Sequence, residues 1–175
     1  RAGMKEKAAY LAQLALATDP DDSRTRLRRA LAVGDSAGLR EFTTHADLRA
    51  LPVATLALLG SALRRLGTFE ESAALLRDAQ RLHPGDFVLD VALARLLLSD
   101  RDPRPTNESI AFYRAALAAR PGSAAARAEL ANALSLQPKC AGIAAKEIEE
   151  AARLAPDDDE FPGFLGHVLH IRGDH

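Results

Sequence analysis

The sequence predicts an all-α chain, an α-solenoid of antiparallel helix pairs with about ten helices. Three observations lead there. Good helix formers dominate, chiefly Ala, Leu and Arg, and runs of β-branched residues that would mark strands are almost missing. Gly and Pro stand at punctuation points between helical stretches, not inside them. A set of small and apolar residues recurs every 34 to 37 positions, the period of a stacked helix-turn-helix unit.

Taken in order, residues 4–17 read as one helix ending at Thr-Asp-Pro-Asp-Asp. Residues 23–33 (SRTRLRRALAV) and 36–44 read as two helices around Gly34-Asp35. Residues 1–52 therefore read as atypical N-terminal helical repeats, a degenerate unit preceded by half of one, serving as a cap. The clearest unit, 53–86, contains LGSALRRLGTFEESAALLRDAQRLHPGDF. Leu56, Leu59, Gly60 and Leu63 fall on its first helix, Gly67 and Phe69 at a turn, and Ser72, Leu76 and Ala79 on its second helix, with Pro84 closing it. This spacing matches the template W-x2-L-G-x2-Y…A-x3-F…P. The segment resembles a tetratricopeptide repeat, a resemblance that implies a right-handed superhelix. Gly60, Ser72 and Ala79 are small where two helices must approach closely, while the leucines fill the space beside them.

The pattern returns over 87–123 as Leu93-Ala94, Leu97, Ser109, Tyr113, Ala116 and Pro121, with a turn lengthened by three residues where Arg-Asp-Pro-Arg-Pro (101–105) intervenes. It returns over 124–158 as Leu130-Ala131, Leu134, Ala144, Ile148, Ala151 and Pro156, and a partial unit over 159–175 starts with Leu165-Gly166, Leu169 and Gly173. Closing prolines at 84, 121 and 156 are 37 and 35 residues apart, the 34-residue template plus the three-residue insertion and one extra residue at the turn of the 124–158 unit. Pro-Gly-Asp, Pro-Gly-Ser and Pro-Asp-Asp-Asp each end one helix and place Asp or Ser at the start of the next, where free amides favour an oxygen.

Composition excludes several classes of function. Lys plus Arg is 23 against 24 Asp plus Glu, which offers no general attraction to nucleic acid or anionic lipid. Apolar runs break well before the roughly 18 to 20 residues that a membrane span needs, and no signal core is present, so the segment reads as soluble. It starts without Met and stops just after a helix-like stretch, and so reads as a piece of a longer protein. Cys140 is the single cysteine, which rules out an internal disulfide and leaves the compartment open; it reads as a turn residue. P-loop, GxGxxG, GxSxG and HExxH motifs are absent, so no cofactor is expected. His167, His170 and His175 could in principle hold a metal, but no Cys or carboxylate is placed to complete the set. Asn107-Glu108-Ser109 reads as a helix start rather than a glycosylation acceptor, and residues 157–160 (DDDE) lack the glycine and spacing of a calcium loop.

In stacked helix pairs the first helix of each pair lines the inner surface. The residues following the small position, Ser61, Arg95, Asn132 and His167, then form a polar column, extended by Arg64 and Arg65 at one end and joined by Glu129 in the middle. That column is the candidate partner-binding groove. An Arg fork takes a carboxylate bidentately, so a protein or extended peptide with acidic groups is the expected partner. Related repeats that hold acidic chaperone tails carry a Lys, Asn, Lys, Arg clamp; the corresponding places here include Ala57, Ser61 and Ala92, and the clamp is missing.

LPVATLALLGSALRRLG, RLHPGDFVLDVALARLLL and the proline-bearing insertion before SIAFYRAALAARPGSAAA also resemble the C-terminal repeat region of large bacterial serine/threonine protein kinases. The resemblance covers residue 23 to the end. It implies a parent chain with an N-terminal kinase domain and an array that recruits substrates or regulators. Kinase motifs are absent from these residues, so the segment itself reads as a non-catalytic scaffold. Two other readings stand beside it: self-association through an open C-terminal end exposing Phe164, Leu165, Val168 and Leu169, and, more remotely, a metal-dependent enzyme at the terminal histidines.

Overall fold

The computed structural model describes residues 22–45, 47–98 and 107–156. Among the described residues there are eight α-helices and no strand. They are α1 (Asp22–Val33), α2 (Ser36–His45), α3 (Val53–Arg65), α4 (Phe69–Leu82), α5 (Phe87–Leu97), α6 (Asn107–Ala119), α7 (Ala124–Ser135) and α8 (Ala141–Leu154). Short 3₁₀ turns, Leu48–Ala50 and Pro138–Cys140, precede α3 and α8. The helices expected over 4–17 and after residue 159 lie outside the described residues.

Local chemistry sets the helix ends. Asp86 caps α5, its carboxylate accepting from the Val88 N–H at 2.8 Å and the Leu89 N–H at 3.2 Å. The Ser123 hydroxyl accepts from the Ala126 N–H at 3.3 Å at the start of α7. Between α3 and α4, Gly67 takes φ +81°, a left-handed conformation that a side chain would strain. It lets the Gly67 N–H reach the Arg64 carbonyl and the Thr68 N–H reach the Leu63 carbonyl, both at 3.0 Å. This double closure ends α3 and starts α4 within three residues.

Helices pair as α1 with α2, α3 with α4, α5 with α6 and α7 with α8, and each pair packs on the next. Gly60 shows why the small residues recur. A Cβ placed there would lie 2.5 Å from Leu76 Cγ, so the Leu76 side chain of α4 could not lie against α3 as it does. The Ser72 hydroxyl, fully buried, donates to the Gly60 carbonyl at 2.7 Å across the same contact. In the following pairs Ala94 meets the same need with Ser109 and Ala116, and Ala131 with Ala144 and Ala151, all fully buried.

Two apolar clusters run through the stack. One spans Leu27, Ala30 and Leu39 through Leu56, Leu59, Leu63 and Leu76 to Leu89, Leu93 and Leu96. The other joins Val91 and Ala94 to Ile110, Tyr113, Leu130, Leu134 and Ile148. Helix α5 contributes to both because it is apolar on two faces. One polar side chain is enclosed on it: Asp90, fully buried, makes no hydrogen bond through either carboxylate oxygen. Burial first, and the neighbouring Asp86 charge second, push its carboxyl above the usual range, while the Gln80 side chain on α4 partly offsets them.

Candidate functional site

The first helices of three successive pairs, α3, α5 and α7, line a groove of about 400 Å³. Its walls follow helix geometry. Ala54, Ala57, Leu58 and Ser61 on α3, and Val88, Val91, Ala92 and Arg95 on α5, stand at i, i+3, i+4 and i+7, one face of each helix. Phe87, Ser123, Ala125, Ala126 and Glu129 complete it. Because alternate helices of the stack run parallel, apolar residues gather toward their N-terminal ends and the polar Ser61, Arg95 and Glu129 one or two turns further on. Leu58 is 54% exposed and Val88 38%, apolar surface facing open space. The Arg120 guanidinium lies 4.5 Å above the ring of the lining residue Phe87.

The structure brings Ser61, Arg95 and Glu129 of the expected column together in this groove. Arg64 and Arg65, in the last turn of α3, do not line it, and neither does Asn132, which is exposed on α7. His167 lies outside the described residues, as do His170, His175 and the apolar residues 164–169 of the expected open end.

Arg95 and Glu129 are not separate binding points. Arg95 Nε donates to Glu129 Oε2 at 2.7 Å and Nη2 donates to Oε1, a bidentate pair across α5 and α7. The Tyr113 hydroxyl, from α6, donates to the same Oε2 at 3.0 Å. Burial, then the Glu129 charge, pushes the Tyr113 hydroxyl far up, so it remains a donor. The hydrogen bond to Glu129, opposed by burial, raises the Arg95 guanidinium further still. Sequence reasoning named both ends of this pair without seeing that they bond. The signal lay in the insertion: equivalent residues of the two repeats are 37 apart, but Arg95 and Glu129 are 34 apart, so Glu129 sits three positions before Asn132 and meets Arg95 diagonally. Tyr113, the aromatic residue of the repeat pattern, serves the framework through its buried ring and this network through its hydroxyl.

MamA 41-end from Desulfovibrio magneticus RS-1 superposes with a TM-score of 0.70 at 21% identity, over 94% of this chain and 86% of its own. The MamA RS-1 ArsTM double mutant gives 0.69 at 21% identity over the same shares of the two chains. MamA MSR-1 C2 gives 0.65 at 15% identity over 87% of this chain and 88% of that one. The fold is a tetratricopeptide-type α-solenoid. At such identities the likeness is one of backbone architecture and does not extend to the groove residues. No protein-family model and no curated protein matches the chain. Among the described residues no cluster of three His, Cys, Asp or Glu is placed to hold a metal, and no helix is long and apolar enough to cross a membrane.

Proposed function

We propose that this chain is a non-catalytic interaction scaffold that docks a segment of a partner protein in the groove of α3, α5 and α7. One observation carries the reading: a concave site about 400 Å³ in volume, with small alanines on three parallel helices and solvent-facing Leu58 and Val88, set beside the Arg95–Glu129 pair. Apolar surface held concave and open in this way is what a partner's side chains can cover. The resemblance to the repeat region of bacterial serine/threonine kinases supports a recruiting role beside a kinase domain, which the coding sequence upstream of Arg1 tests directly.

Selection of binders from a displayed random-peptide library, followed by amide NMR mapping, tests the docking reading. Expected perturbations fall on α3, α5 and α7 and vanish in Ala92→Phe, which fills the groove, with a thermal melt to check that the variant still folds. Perturbations confined to α4, α6 and α8 would refute it.

A further inference from the structure

On this docking reading, the groove's charges decide what kind of segment enters. Arg95 and Glu129 are the only charged side chains among its described lining residues, and each already neutralises the other. Glu129 is just 27% exposed and also accepts from Tyr113, so its carboxylate is held in place from two helices. An incoming carboxylate aiming for Arg95 would have to share the guanidinium with Glu129 and lie beside a like charge, with no second cation among the described lining residues and Arg120 stacked on Phe87. An incoming ammonium meets Arg95 in the same way. What the groove leaves unmatched is apolar: Ala57, Leu58, Val88, Val91 and Ala92.

We propose that the groove takes a peptide segment presenting uncharged apolar side chains, and that the Arg95–Glu129 pair acts as a filter against acidic segments. Glu129 is the specificity-determining residue. This proposal departs from the expectation from sequence that the Arg95 fork would take a partner carboxylate, because that fork already bonds Glu129.

The variant that tests the filter is Glu129→Gln. It keeps the side-chain shape and an acceptor for Tyr113, and it frees Arg95, which at 56% exposure remains solvated, so folding should survive. Two short labelled peptides serve as probes: one built from Leu, Ala and Gln, the other identical except that Glu replaces two Gln beside the leucines. Fluorescence anisotropy reads affinity, and amide NMR reads the place of binding. For the wild-type protein the neutral peptide should bind about tenfold or more tightly than the acidic one. In Glu129→Gln that preference should disappear or invert, most clearly at low salt. Wild-type protein binding both peptides alike, or an unchanged preference in Glu129→Gln, overturns the filter but leaves the docking reading in place. If neither peptide perturbs the α3, α5 and α7 amides, the docking reading fails and the filter with it.

Discussion

Gly60 and Asp90 show how single residues carry this fold's two kinds of constraint, one steric and one electrostatic. Replacing Gly60 by Ala gains helix propensity of about 1 kcal/mol. The methyl group, however, lands on Leu76, and overpacking costs about 1–3 kcal/mol. Gly60→Ala is therefore expected to lower stability in urea unfolding. In a Leu76→Ala background the obstacle is gone, and the same substitution should become neutral or stabilising; a double-mutant cycle without this change of sign would contradict the packing account. Asp90 occupies the place that Leu56 holds one repeat earlier, but with a buried carboxyl that the Gln80 side chain offsets only in part. Since its folded-state pKa is raised, the native chain holds this proton more tightly than the unfolded chain does. Stability from this group then falls as pH climbs from the ordinary carboxylate range through the raised value. Asp90→Leu should stabilise by about 1–2 kcal/mol at neutral pH, and the gain should shrink toward acid pH, as thermal melts across a pH series will show.

At the scale of elements, the joints between repeats matter more than helix interiors. Asp86 caps α5 and also repels Asp90. Asp86→Ala should cost about 1 kcal/mol through the lost cap, whereas Asp86→Ser keeps a capping oxygen, removes the repulsion and should leave stability unchanged or higher. At the next joint, Arg127 on α7 donates through Nε and Nη2 to the Pro121 carbonyl, at 3.3 and 3.1 Å, and through Nη1 to Glu147 on α8 at 2.7 Å. The pair is mostly shielded, at 21% and 24% exposure. A lysine replaces the guanidinium's wide fork of donors by a single ammonium, so Arg127→Lys is expected to lose about 1 kcal/mol in denaturant unfolding, and Arg127→Ala more. By contrast the exposed Arg77–Glu108 bridge between α4 and α6 should contribute about 0–1 kcal/mol.

Across the whole molecule, stability passes from pair to pair, as in other arrays where each unit touches only its neighbours. Helix α5 belongs to both apolar clusters, with Leu89, Leu93 and Leu96 on one side and Val91 and Ala94 on the other. Its amides should exchange with solvent most slowly, while those of α1, anchored by Leu27 and Ala30, should open at lower free energy. Leu93→Ala should cost about 2–5 kcal/mol and accelerate exchange in both halves of the stack. Faster exchange confined to α3 and α4 would show that the two clusters are uncoupled.

Much of the architecture was legible in the sequence because a solenoid is built from short-range rules. Helix propensity, a small residue every 34 to 37 positions, and Gly or Pro between helices specify units that can bury their apolar faces only by stacking. The helices over 23–33 and 36–44 were read to within a residue at either end, and the Asp86 and Ser123 caps were visible as Pro-Gly-Asp and Pro-Gly-Ser. That Ser61, Arg95 and Glu129 share one groove while Asn132, Arg64 and Arg65 stand apart was decided only in three dimensions. So was the bonding of Arg95 to Glu129 and Tyr113. Periodicity says which face a residue occupies, but not how far one helix slides along the next, and a slide of three positions is enough to turn an open cation into a spent one.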